Sequence, residues 1–135
     1  MEKINWDKSY SVNVDMLDTQ HQNLFAIINK FYDVVQAKKD TSTLSTVFKQ
    51  VLDYTQTHFK IEEHYLKKYG YPDIEKHMLL HSTLVDRAQT LYSDINAGKS
   101  GAAENAIGFL KDWLEGHIKG VDTKYSSHLN QHGMH

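Results

Sequence analysis

No cysteine occurs among the 135 residues, which excludes disulfides, thiolate metal sites and cysteine nucleophiles. Proline is present once, as Pro72, so long helices are free to form elsewhere. Long hydrophobic runs are missing too: no stretch of about 18 apolar residues offers a membrane span. Nor is positive charge in excess. The formal net charge is -2 and the sequence pI about 6.5, which leaves no basic footprint for nucleic acid. The opening residues Met1-Glu2-Lys3-Ile4-Asn5-Trp6 carry no apolar stretch of the secretory kind, so the cytoplasm is the expected compartment. The length suits a single domain over residues 1–135 with one sizeable core.

What the chain has in abundance is histidine, nine in all. Their meaning depends on where they fall in the hydrophobic pattern. Residues 1–16 show no sustained period and read as an irregular arm, with Trp6 and Tyr10 available to pack on the body. From Leu17 the spacing becomes regular: Leu17, His21, Leu24, Ile28, Phe31 and Val35 follow the alternating steps of a core-facing helix. Asp18 is the expected N-cap. After the polar stretch Lys38–Ser42 a second stripe runs Val47, Val51, Tyr54, His58, Glu62, Tyr65 and Tyr69, closed by Gly70-Tyr71-Pro72. Asp73 is positioned to cap a third helix with stripe Ile74, His77, His81, Leu84, Ala88, Leu91 and Ile95. Beyond the Asn96–Gly101 breaker lies a fourth stripe, Ala106, Leu110, Trp113 and His117, broadened by Ile107, Leu114 and Ile118. Short connections predict an all-α, antiparallel up-down-up-down four-helix bundle. Residues 123–135 read as a closing segment and a frayed tail.

Each stripe carries histidine where the pattern wants leucine: His21, His58, His77, His81 and His117, with Glu62 among them. His58 and Glu62 are one turn apart, as are His77 and His81, so each pair shares a helix face. Burying such groups costs several kcal/mol apiece unless they are satisfied. A lone histidine on an apolar face is usually hydrogen-bonded to a backbone carbonyl. Five on four successive core faces, beside a carboxylate, point instead to a shared metal site.

Imidazole and carboxylate without thiolate suit iron, zinc, copper or manganese. Five histidines exceed what one four-coordinate zinc takes, so two carboxylate-bridged metals fit better. Glu62 supplies one bridge. Asp122 is the candidate for the second, with Asp15, Asp18 and Asp112 as rivals. A regular α-helix turns about 100° per residue, so His117 and Asp122 would diverge by about 140°. A π-bulge or helix end is needed to unite them, and Gly120 weakens the helix between them.

The segments Asp18-Thr19-Gln20-His21, His58-Phe59-Lys60-Ile61-Glu62-Glu63, His77-Met78-Leu79-Leu80-His81 and Trp113-Leu114-Glu115-Gly116-His117-Ile118-Lys119-Gly120-Val121-Asp122 resemble those of the hemerythrin family over nearly the whole chain. The resemblance implies two iron ions bridged by carboxylates and a hydroxide or oxide. His77, His81 and His117 would bind one iron, His21 and His58 the other, and Glu62 and Asp122 would bridge them. By the same resemblance Leu24, Phe59, Trp113, Leu114 and Ile118 line an O2 pocket, while also serving as bundle core. Asn13 stands where family members often have glycine, and asparagine tolerates the left-handed turn expected there. Glu63, His64, His128, His132 and His135 are expected to be solvated side chains.

The resemblance implies reversible O2 binding for carriage, storage or delivery, with small anions such as azide as ligand analogues and no catalytic residues. The alternatives are a di-iron enzyme or detoxifying protein acting on peroxide or NO, or an O2 or redox sensor. Ferritin-like di-iron enzymes use Glu-x-x-His pairs, and none occurs here. Binding is therefore the expected role; no protein partner follows from the sequence.

Overall fold

A computed structural model describes residues 3–135, so Met1 and Glu2 of the expected arm lie outside the described residues. Four long helices form the antiparallel bundle: α1 (Asp15–Gln36), α2 (Thr41–Lys68), α3 (Ile74–Asn96) and α4 (Ala102–Trp113). A π-helical segment, Leu114–Lys119, prolongs α4; a 3-10 turn, Asp122–Tyr125, and the short α5 (Ser126–Gln131) follow. No strand occurs among the described residues, and none of their helices is long and apolar enough to cross a membrane.

The α1 stripe is buried as its spacing predicts, from Leu17 and His21 through Val35. Its start differs. Helix α1 begins at Asp15 behind Val14, and Asp18 does not cap it. The Asp18 carboxylate instead accepts the Val12 N–H at 2.8 Å and the Ser11 hydroxyl, clasping the arm to the helix. Asn13 makes the expected left-handed turn, with φ 56°. Asp40 caps α2 by accepting the Thr43 N–H, whereas Asp73 precedes α3 without a side-chain cap.

Helix α2 packs against both α1 and α3 and so buries a broader face than its single stripe implies. Phe48, Leu52, Phe59 and Leu66 are buried there, while Tyr54, Tyr65 and Tyr69 are half-buried. Large side chains such as Phe31 and Phe48, fully buried and 5.1 Å apart in an edge-on contact, contribute about 1.5–3 kcal/mol each.

The apolar interior comes in two parts. The larger runs along the bundle and includes Leu24, Phe31, Phe48, Phe59, Leu91 and Trp113. The smaller unites Val12, Val14 and Leu17 with Leu66, Tyr125 and Leu129. The closing segment expected within 123–135 runs further than a frayed tail would allow, as helix to Gln131: Tyr125 and Leu129 are wholly buried, because the arm and the end of α2 leave an apolar face that the segment covers. Between these two parts lies a polar layer. His21 sits one turn from Leu17 and one from Leu24; Glu62 sits between Phe59 and Leu66.

Candidate metal centre

Helices α1, α2 and α3, the π-helical segment that prolongs α4 and the turn after it bring His21, His58, Glu62, His77, His81, His117 and Asp122 into that layer, all of them buried. Their donor atoms form two groups, each with all atoms within 4.8 Å of one another. One is Glu62, His77, His81, His117 and Asp122; the other is His21, His58, Glu62 and Asp122. Only Glu62 and Asp122 belong to both. Asp15 and Asp112 are exposed, and Asp18 is committed to the arm.

The two carboxylates divide their oxygens in the same way. Glu62 Oε1 lies 2.6 Å from His77 Nε2 and 3.0 Å from His81 Nε2. Asp122 Oδ1 lies 3.1 Å from His77 Nε2 and 3.0 Å from His117 Nε2. The other oxygens face the other pair: Glu62 Oε2 is 3.3 Å from His58 Nε2, and Asp122 Oδ2 is 3.5 Å from His21 Nε2.

Local geometry at the end of α4 makes this possible. The π-helical hydrogen bonds of Leu114–Lys119 widen the turn, so the step from His117 to Asp122 no longer carries the aspartate round the far side. The departure from α geometry begins before His117, one turn earlier than the spacing alone suggests. Gly120 is needed for a reason beyond helix weakness. A Cβ there would stand 2.6 Å from the Gly116 carbonyl oxygen, which real side chains do not tolerate.

Charge is balanced within the layer. Burial disfavours a charged His21, but the Asp122 and Glu62 carboxylates outweigh it and push its pKa up to about 9. Burial likewise opposes charge on His77, and the same two carboxylates push it up to about 10. Burial works against an ionised Glu62, yet His21, His58, His77 and His81 hold its carboxyl well below the usual carboxylate range. Asp122 is also held low: burial and the Glu62 charge oppose its ionisation, and His117 and His21 prevail.

These contacts leave polar atoms unsatisfied. Nε2 of His81, Nε2 of His117 and both Asp122 oxygens are buried without an aligned hydrogen-bond partner, although their neighbours are near. These residues belong to the group whose donor atoms all lie within 4.8 Å of one another. Buried orphans of this kind cost about 1–3 kcal/mol each, and a cation between nitrogen and carboxylate donors removes the cost. The donor set of imidazoles and carboxylates fits iron.

Around the layer, Leu24, Phe59, Trp113, Leu114 and Ile118 are all buried. Phe59 stacks on the His81 ring, centroids 3.6 Å apart and nearly parallel, and meets Trp113 edge-on.

Several expectations for the remaining polar residues need correction. Glu63 is not simply solvated: it accepts the His81 Nδ1 proton at 2.8 Å. His128 is half-buried and donates to the Tyr69 carbonyl at 2.6 Å, whereas His132 is exposed as expected and donates to the His128 carbonyl. His64 and His135 are exposed as expected. Two neighbours of the cluster were not singled out from the sequence. Tyr125 donates its hydroxyl to Glu62 Oε2 at 2.8 Å, and Gln20 accepts the His58 Nδ1 proton at 2.6 Å. The only local signals were Tyr125 lying about one turn beyond Asp122 and Gln20 adjoining His21.

A family model described as the hemerythrin HHE cation binding domain matches residues 12–129. Bacteriohemerythrin of Methylococcus capsulatus is 32% identical over 121 residues, covering 90% of this chain and 92% of that protein. Myohemerythrin of Riftia pachyptila is 32% identical over 124 residues, covering 92% of each. The crystal structure of a wild-type hemerythrin superposes with a TM-score of 0.86 at 31% identity, covering 95% of this chain and 98% of that one. With the family model spanning most of its length and these relatives matched nearly end to end, the chain belongs to the hemerythrin family.

Proposed function

We propose that this protein binds O2 reversibly at a non-haem di-iron centre, for carriage, storage or delivery. The observation that carries the reading is the pair of donor groups that overlap only at Glu62 and Asp122. In this reading His77, His81 and His117 hold one iron, His21 and His58 hold the other, and Glu62 and Asp122 bridge them. When bound, the two ferrous ions supply the electrons that O2 needs for reversible attachment.

The residues impose an asymmetry. The iron held by His77, His81 and His117 would have three imidazoles and the one held by His21 and His58 only two, so the second would keep room for a small ligand. A small ligand enters at the histidine-poor side. In this reading the buried side chains Leu24, Phe59, Trp113, Leu114 and Ile118 line the ligand pocket, and their apolar surface leaves an entering water short of hydrogen bonds. The role of these side chains is to keep water and acids from the ligand.

The test is a visible spectrum of the reduced, iron-loaded protein before air, after air and after degassing. Charge-transfer colour that appears and vanishes reversibly, with two irons per chain and nothing consumed, supports the reading. Irreversible oxidation, or steady consumption of peroxide or NO, favours the enzymatic alternative.

A further inference from the structure

The ring nitrogens that face away from the cluster have partners of opposite kind in its two halves. In both His81 and His58 the Nε2 atom faces the cluster, near Glu62, while Nδ1 faces an oxygen that can only accept, so Nδ1 carries a proton and donates it outward. His81 Nδ1 donates to Glu63 Oε2, a carboxylate whose side chain is 20% exposed. His58 Nδ1 donates to Gln20 Oε1, a neutral amide on α1. His21 Nδ1, the remaining outward nitrogen of the histidine-poor half, is buried without a partner. A full negative charge thus backs the three-histidine half, whereas among the described residues the other half has an amide behind His58 and no hydrogen-bond partner behind His21.

A carboxylate accepting the outer N–H of an imidazole fixes its tautomer, holds its plane and raises the basicity of the opposite nitrogen. A charge-assisted bond is also about twice as strong as a neutral one. An amide fixes tautomer and plane without adding electron density. We propose that Glu63 and Gln20 are positioning residues that make the two halves of the centre electronically unequal. Glu63, acting through His81, strengthens the hold on the three-histidine iron and favours its ferric state. Gln20, acting through His58, orients the ring but leaves the ligand-binding iron easier to reduce, which favours release of O2. The inference rests on the di-iron reading proposed above.

Glu63→Gln keeps an acceptor for His81 and removes only the charge; Gln20→Glu adds the charge on the other side. Both are measured as full-length, iron-loaded proteins by spectroelectrochemistry, iron content and melting of the metal-free chain. Glu63→Gln is expected to raise the midpoint potential by a tenfold or greater shift in the ferric–ferrous equilibrium, about 59 mV per tenfold for one electron. Gln20→Glu is expected to lower it. Glu63→Ala, which removes acceptor and charge together, is expected to weaken iron retention about 10- to 100-fold, and Glu63→Gln to recover most of that loss. The metal-free chain carrying Glu63→Gln should remain folded and melt only slightly lower, since a neutral bond replaces the charge-assisted one. A fully loaded Glu63→Gln protein at the unsubstituted potential overturns the inference, as does Gln20→Glu shifting the potential upward. Failure of the unsubstituted chain to load two irons overturns the di-iron reading itself, and this inference with it.

Discussion

Tyr125 donates its hydroxyl to Glu62 Oε2 across 2.8 Å, both groups wholly buried, and so ties the C-terminal turn to the carboxylate of α2. Burial and the nearby Glu62 and Asp122 charges hold the phenol well above its ordinary pKa, so it remains a donor. Hydrogen bonds to charged groups contribute about 1.5–3 kcal/mol. Tyr125→Phe is expected to lower stability by about that amount and to loosen iron retention. Denaturant unfolding of the loaded protein checks it; an unchanged midpoint would show that the bond contributes nothing.

Glu62 touches both histidine groups, whereas His21 and His58 belong to one. Glu62→Ala is therefore expected to lose both metals. His21→Ala is expected to lose the ligand-exchanging iron first, with azide binding abolished. His81→Ala should instead damage the closed iron and thermal stability together, because metal binding is linked to folding. Iron analysis, azide titration and melting curves separate the three. Indistinguishable losses would sink the division of ligands.

The metal-free protein has a pH profile set by its raised imidazoles and lowered carboxyls. His21 and His77 rise from 6.5 to about 9 and about 10. Their stabilisation is complete below 6.5 and disappears as pH climbs through those higher values. Glu62 and Asp122 fall from 4.5 and 3.8, so their contribution is present above those values and is lost as pH falls below them. Melting of the metal-free chain should accordingly be best between about pH 4.5 and 6.5 and decline on the alkaline side. Iron competes with the same protons, so its affinity should rise with pH and binding should release protons. Melts at pH 5.5 and 9.5 with and without iron decide the matter. Parallel profiles for the two forms would contradict it.

Gly120 is expected to resist even the smallest substitution. An added Cβ meets the Gly116 carbonyl at 2.6 Å, so Gly120→Ala must shift the backbone that delivers Asp122. The predicted result is reduced iron content at near-normal helicity, read by metal analysis and circular dichroism. Full loading would mean that the turn adapts.

Leu114 lies one turn before His117 and is completely buried. If it excludes water from the bound ligand, Leu114→Asn should speed autoxidation to the diferric form while the histidines keep both metals. If it only packs, the change lowers stability by a few kcal/mol and leaves the lifetime alone. Stopped-flow oxygenation followed by decay of the charge-transfer band distinguishes these. A normal decay rate in a folded, fully loaded variant would remove Leu114 from the protective role.

Helix positions and the faces that carry His21, His58, Glu62, His77, His81 and His117 were legible in the sequence. Helical periodicity is a local property, and a histidine at a leucine position declares itself within two turns. The spacing of His117 and Asp122 announced a break in the α-helix for the same reason, since no regular helix aligns residues five apart. Local pattern misjudged Asp18, which clasps the arm instead of capping α1, and Glu63, which turns to His81 on another helix. Only the tertiary structure decided those partners, the burial of Tyr125 and Leu129, and the way each shared carboxylate turns one oxygen to each histidine group. Such relationships depend on the relative rotation of packed helices and the reach of side chains between them, and neither quantity has a period along a single chain.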